Sequence, residues 1–334
     1  MDYGIGIGGP LPLIGRMAKT AEEAGFESCW AAETTNTAYV AASVAVQATS
    51  RINVGTAVAL AFPRSPTITA MTAWDLDELS GGRFLLGLGS QVKRINEQRF
   101  SVPFEHPAPK LREYVKVLRT VWAANRGERR VHEGRFYTVT MPTFHGRPQP
   151  ERRDVPVYLA AVGKKMAAVC GELADGLIAH PLASPRYMDE VLLPAVGEGA
   201  ARADRPVRAC NITVSPMVSI SPDEDSARRE VKLQIAFYAT TRTYRPILEL
   251  HGRGEIVGEL RRAFGVGDRE RMIELIDDEL CDAIAAAGSP GEVRARVAQW
   301  EGVADRVALA GPWYGVSAER MVENHHALID AFSR

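Results

Sequence analysis

The sequence predicts an α/β protein whose parallel strands close into a (β/α)8 TIM barrel. Two observations carry the prediction. One alternation runs from end to end, a short apolar run followed by a turn, an amphipathic helical stretch and another turn. It recurs eight times with no two strands in direct succession, so each strand is followed by a crossover and lies parallel to the last. Alternation alone would also fit an open, doubly wound sheet. Eight units favour the barrel, which needs ~250 residues and leaves roughly 80 of the 334 for insertions.

Residues 3–8 read as the first strand, after which Ile14, Met17, Ala18 and Ala21 recur on one face of a helix that Gly25 stops. Residues 27–32 form the second strand, 39–49 a helix of small residues and 52–58 the third strand. A helix over 65–79 is turned by Gly81-Gly82 into a fourth strand over 83–89. Tyr114, Val117, Leu118, Val121 and Trp122 mark the amphipathic helix that follows. Residues 155–161 and 177–179 are the fifth and sixth strands, separated by a helix over 164–174 and the turn Asp175-Gly176. A helix over 188–203 leads into a long apolar strand over 207–220. Ser289-Pro290-Gly291-Glu292 has the form of a capping box with proline in the first turn. It opens a helix that turns Val293, Val297 and Trp300 inward. Residues 303–310 are the eighth strand and 318–332 the closing helix, with His325-His326 expected at the surface. Two stretches break the rhythm and read as insertions in a single domain spanning 1–334: about 125–154, rich in Arg, Gly and Pro, and about 222–288, mainly helical.

Composition excludes several function classes. Hydrophobic residues make up 46% and charged residues 24%, enough for a packed core. Forty basic residues oppose 41 acidic ones, so no global field recruits nucleic acid or an anionic membrane. No apolar run approaches the ~18–20 residues of a spanning helix, and the start lacks the basic residues and cleavage site of a signal peptide. Cys29, Cys170, Cys210 and Cys281 are isolated, which suits reduced thiols in a cytoplasm. No spacing resembles a zinc site such as HExxH, so no metal is expected. The expected partner is a small-molecule substrate. Gly4, Gly6 and Gly9 satisfy GxGxxG, but only three residues precede Gly4 and Pro10-Leu11-Pro12 follows. The expectation is a glycine-rich barrel strand, packed tightly or approached by a ring, rather than a dinucleotide loop.

Four separated segments resemble the luciferase-like monooxygenase superfamily, and within it the coenzyme F420-dependent oxidoreductases. They are Ala21-Glu22-Glu23-Ala24-Gly25-Phe26 with Cys29-Trp30 and Glu33; Arg64-Ser65-Pro66 with the run from Leu76 through Gly81-Gly82-Arg83-Phe84 to Gly89; Val155-Pro156-Val157 with Gly171-Glu172-Leu173-Ala174-Asp175-Gly176; and Gly288-Ser289-Pro290-Gly291-Glu292. They keep their order along essentially the whole chain. Ile235-Ala236-Phe237-Tyr238, Tyr244-Arg245-Pro246 and His251-Gly252 resemble the deazaflavin-using subgroup rather than the FMN-using one.

The resemblance implies hydride transfer between coenzyme F420, a deazaflavin, and a small organic substrate, in an enzyme expected to be a homodimer or higher homo-oligomer. The alternatives are an FMN-dependent monooxygenase and a barrel that binds a flavin without turnover. It also implies a cofactor at the carboxyl ends of the strands, where chemistry sits in such barrels. Those positions hold Gly8-Gly9, 33–36, 57–61, 89–94, 161–164, His180 and 311–314, and small residues dominate. Ala57–Val58 matches a cis peptide that supports the ring in relatives, and Gly8 and Gly89 are small enough for close approach. Ala161, Val162, Gly163 and Lys164 match a turn placed against the cofactor phosphate, with Ser90, Lys93 and Arg94 near the same acidic tail. Where relatives often carry a catalytic histidine this chain has Asn36, which cannot act as a general acid or base. Glu33 is the nearest titratable residue, read either as catalytic or as a carboxylate bonded to barrel backbone. His180 is a further candidate proton donor at the correct barrel end. Tyr238 and His251 are expected to cap the pocket.

Overall fold

The computed structural model describes residues 1–142 and 154–333. Eight parallel strands form the barrel: β1 (Asp2–Ile7), β2 (Ser28–Ala31), β3 (Asn53–Thr56), β4 (Phe84–Gly89), β5 (Val157–Ala161), β6 (Gly176–Ala179), β7 (Asn211–Val214) and β8 (Arg306–Leu309). Their order is β3-β2-β1-β8-β7-β6-β5-β4, and Val54 of β3 pairs with Phe84 of β4 to close the ring. No barrel edge is left unpaired.

Two cores result. The larger lies between the strands and the surrounding helices, and includes the buried faces of Pro107–Asn125 and Lys164–Leu173. The smaller fills the barrel itself with Trp30, Leu85, Tyr158, Ile178 and Ala308. Trp30 meets Tyr158 edge to face at 5.8 Å, and the buried Arg306 guanidinium lies 5.6 Å from the Trp30 ring centre. Glycine makes this bulk possible. A Cβ on Gly55 would run into the Trp30 indole, one on Gly176 into the Tyr158 ring, and one on Gly4 into Ser28. The GxGxxG stretch is therefore partly a packing device, and the helix that follows it, Leu11–Glu23, opens on Pro10-Leu11-Pro12, where two of the backbone positions have no N–H to offer a phosphate.

Several elements differ from the sequence reading. The stretch over 207–220 is not one strand. Residues Val207–Ala209 form a 3-10 turn, β7 ends at Val214, and a separate strand Met217–Ile220 pairs in parallel with Ala285–Gly288. Pro216 sits at the break, where it has no N–H to donate to a ladder. The second insertion thus holds five helices (Glu224–Ala239, Arg245–Leu250, Val257–Val266, Arg269–Glu274, Asp278–Ile284) and ends in that added strand. Asp223, Asp268 and Asp277 cap three of these helices, each accepting from the N–H three residues on. In the first insertion, Arg130–Glu133 and Thr138–Met141 form an antiparallel hairpin, and 143–153 lie outside the described residues. Helical structure before β7 starts at Pro185 and passes through a π turn, Met188–Leu192. Pro194, lacking an N–H, cannot bond back to Glu190 in the α pattern.

The capping box at Ser289 and Glu292 forms as expected, and so does the closing helix Ala318–Phe332. His325 corrects the sequence reading: it is buried, and only His326 is exposed. Its spacing with Leu328, Ile329 and Phe332 sets it on the inward stripe. Cys29, Cys170, Cys210 and Cys281 are free and buried, and burial raises every thiol pKa, to about 11 for Cys281 and about 12 for Cys29. These are core residues rather than nucleophiles. Among the described residues no helix is long and apolar enough to cross a membrane, and no cluster of three His, Cys, Asp or Glu side chains could hold a metal.

Candidate active site

Because all eight strands are parallel, the loops leaving Ile7, Ala31, Thr56, Gly89, Ala161, Ala179, Val214 and Leu309 open on one face. The floor of this mouth is made of small residues. The Ala57–Val58 peptide is cis, and the two-residue strand Ala59–Leu60 that follows pairs with Leu88 and Gly89 of β4. Gly89 lies against Val58 and Ala160: a Cβ there would overlap the Val58 side chain. Gly8 faces open space, and Gly9 has a φ of +98° that other residues rarely adopt.

Glu33 holds this floor in place. Its Oε2 accepts from the Leu60 N–H at 2.7 Å and from Arg64 Nη1 at 2.8 Å, and its Oε1 pairs with Arg64 Nη2. Arg64 also donates to the Leu60 carbonyl and lies 5.1 Å from the Tyr39 ring centre. The Glu33 side chain is only 7% exposed, so both oxygens are used inside the protein. This geometry matches the reading of a carboxylate bonded to barrel backbone. Asn36 donates its Nδ2–H to the Gly9 carbonyl at 2.7 Å and so ties the first two loops together.

His180 stands just past β6. Its ring stacks on Tyr244 at 4.0 Å and meets Tyr238 edge to face at 4.8 Å. Nδ1 accepts from the Leu182 N–H at 3.1 Å, which leaves the ring proton on Nε2. Burial pushes its pKa down to about 3. At neutral pH the ring is therefore an uncharged hydrogen-bond donor. Both tyrosines come from the second insertion, and Trp313, after β8, extends the cap by donating its indole N–H to the Tyr238 hydroxyl at 3.2 Å. The buried Gln234 secures that corner, its Oε1 accepting from the Trp313 and Tyr314 N–H groups. Tyr238 caps the mouth as expected, whereas His251 turns aside to the Ser184 hydroxyl at 2.8 Å. The capping roles of Tyr244 and Trp313 were missed in the sequence. Their aromatic clustering in a loop and an insertion was the available signal.

The candidate phosphate end divides into two groups. Val162 accepts from the Tyr187 hydroxyl at 2.9 Å, Ala161 is buried, and Gly163 caps the helix Lys164–Leu173 without a side-chain bond. Of the first-turn N–H groups of that helix, that of Met166 bonds back to the Gly163 carbonyl at 3.0 Å, and those of Lys164 and Lys165 have no partner within it. Nothing lies within 4 Å of where a Gly163 Cβ would sit, and Lys164 and Lys165 are exposed beside it. Lys93 and Arg94 behave differently. Lys93 is 69% exposed and pairs along its own helix with Glu97, and Arg94 bonds Gln98. Ser90 points its hydroxyl at the Gln91 carbonyl.

Comparison with known proteins agrees with this architecture. A family model described as luciferase-like monooxygenase matches residues 4–306. An uncharacterized protein of Mycobacterium tuberculosis is 41% identical over 299 residues, covering 87% of each chain. A putative coenzyme F420-dependent oxidoreductase of the same organism is 31% identical over 315 residues, covering 88% of this chain and 90% of its own. The coenzyme F420-dependent tetrahydromethanopterin reductase of Methanopyrus kandleri superposes with a TM-score of 0.83 at 25% identity, covering 100% of this chain and 98% of its own. The match over 4–306, on a closed parallel barrel, establishes that this chain belongs to the luciferase-like monooxygenase family of oxidoreductases.

Proposed function

We propose that the protein transfers a hydride between the deazaflavin coenzyme F420 and a small organic substrate. The observation that carries this is the mouth itself: a floor of small residues, Gly8, Ala57, Val58 and Gly89, at the same barrel end as the neutral donor His180 and its aromatic cap. The relatives named for the same coenzyme support the choice of deazaflavin over FMN. When bound, the deazaflavin supplies a carbon centre that gives or takes an electron pair with a proton as hydride. The chain's own residues do the rest. Ala57 and Val58 back the ring, Glu33 and Arg64 keep that backing in place, and Tyr238, Tyr244 and Trp313 exclude water. His180 Nε2–H orients the oxygen or nitrogen attached to the reacting substrate carbon. Titration of the protein with the deazaflavin and with FMN, followed by single-turnover bleaching with candidate alcohols, ketones and imines, tests the proposal. Tighter deazaflavin binding and substrate-dependent bleaching are expected. Equal affinity or a preference for FMN would move the protein to the monooxygenase reading, and binding without bleaching to a non-catalytic one.

The phosphate end yields a separate expectation. Gly163 has extended backbone (φ −126°) and free space at its Cβ position, so valine fits the free protein. If the cofactor phosphate sits on the first-turn N–H groups, Gly163→Val weakens binding by about 1–3 kcal/mol while leaving the melting temperature unchanged. Lys164→Ala is expected to cost less, and its effect to shrink as salt rises. Normal binding by Gly163→Val would move the phosphate to the Ser90, Lys93 and Arg94 side.

We also infer a homodimer. Ile68, Met71 and Leu79 project from Pro66–Ser80 and are 54%, 41% and 53% exposed, beside the exposed Val40 of Ala38–Ala48. Light scattering should give twice the chain mass, and Ile68→Lys should shift it toward one.

A further inference from the structure

We propose that a cleft on the second insertion, between Arg242, Arg245 and Arg261, binds a chain of acidic groups carried by the molecule that enters the barrel mouth. The cleft has a volume of about 460 Å³. Three arginines face it against a single acidic lining residue, Glu255, although the protein as a whole is close to neutral. Arg245 is partly occupied by Glu249 at 2.8 Å, and Arg242 and Arg261 make no ion pair among the described residues. The 3-10 turn Gly254–Ile256 at the cleft runs directly into the helix Val257–Val266, whose first turn holds Gly258. A Cβ built on Gly258 would meet only Arg262, at 3.9 Å, so backbone there is open to a ligand. Guanidinium forks and the positive end of a helix both favour the same occupant, carboxylate or phosphate oxygens. A single phosphate would use one fork and leave most of the volume empty. Several acidic groups in series use all three.

Position links the cleft to the reaction. Arg242 and Arg245 flank Tyr244, whose ring stacks on His180 at the mouth. An acidic chain held there lies behind the residue that caps the site. Its source is either the acidic tail of the deazaflavin or an acidic extension of the substrate, and only that assignment rests on the hydride-transfer reading.

The test uses a fluorescent pentaglutamate peptide and inorganic tripolyphosphate on the whole protein, with Arg242→Gln/Arg261→Gln as the variant and a pentaglutamine peptide as control. These arginines are exposed, so the variant should melt like wild type. Wild type is expected to bind both anions, more weakly as salt rises, and to ignore pentaglutamine; the variant should lose at least tenfold. No binding by wild type, or equal binding by the variant, overturns the proposal. Two further arms locate the source. Where the tail is the occupant, trimming it from the deazaflavin lowers affinity by the same factor as the double variant. Where the substrate is, coenzyme affinity is unchanged and KM for acidic substrates alone rises in the variant. The peptide assay needs neither coenzyme nor turnover, so failure of the hydride-transfer reading and failure of the cleft are read separately.

Discussion

Replacing Glu33 with alanine is expected to lower the free energy of unfolding by about 3–5 kcal/mol, because it strands a partly buried guanidinium. Arg64 would keep its packing over Tyr39 and its bond to the Leu60 carbonyl but lose its one carboxylate partner among the described residues, and the Leu60 N–H would lose its acceptor. Urea denaturation at neutral pH measures the loss. Glu33→Leu combined with Arg64→Met, which removes both charges, should recover much of it. A second consequence separates this role from a catalytic one: with substrate saturating, the variant should lose cofactor affinity more than turnover rate, since the carboxylate supports the Ala57–Leu60 floor rather than the reacting atoms. A cost below about 1 kcal/mol, typical of a surface pair, would show that the floor stands without this brace.

His180→Phe is expected to reduce kcat by about 10²–10³-fold, the range for loss of one positioned hydrogen-bond donor. Phenylalanine keeps a ring against Tyr244 and Tyr238, so folding should persist while the Nε2–H is lost. Burial holds the His180 pKa near 3, so the kcat profile of the wild type should show no histidine inflection between pH 5 and 8. The same burial makes a stability prediction with a definite sign. The unfolded chain takes up the proton near the ordinary value of ~6.5 and the folded one only near 3. The contribution is therefore complete above pH ~6.5 and is lost as pH falls below it, by up to about 1.4 kcal/mol per pH unit. His325, pushed down to about 4 by burial and the neighbouring His326, adds to the slope in the same window. Denaturant midpoints between pH 7 and 5 should fall more steeply for wild type than for His180→Phe. Parallel slopes would show that the folded protein does not depress the His180 pKa, and a kcat within threefold of wild type would remove His180 from the reaction.

The sequence by itself determined the barrel and most of its parts. Short apolar runs and period-3.6 helical faces alternate eight times, and each is a local pattern legible without the rest of the chain. The capping box at Ser289, the Gly81-Gly82 turn and the closing helix Ala318–Phe332 were legible for the same reason. The strand-end positions of Gly8, Glu33, Ala57, Gly89, Gly163 and His180 also followed, since in a parallel barrel every strand end opens on one face. What each of those residues does was decided only by tertiary structure. Glu33 and Arg64 are 31 positions apart, and their pairing depends on how two loops meet over β3. His180 owes its low pKa to burial, and the rings packed against it, Tyr238 and Tyr244, come from a distant insertion. The exit of the chain from the barrel at Pro216, to pair with Ala285–Gly288, needs a partner strand nearly 70 residues away. Periodicity records which face of an element is buried. Charge state, hydrogen-bond partner and the covering of a site depend on what arrives from elsewhere in the chain, and no local pattern encodes that.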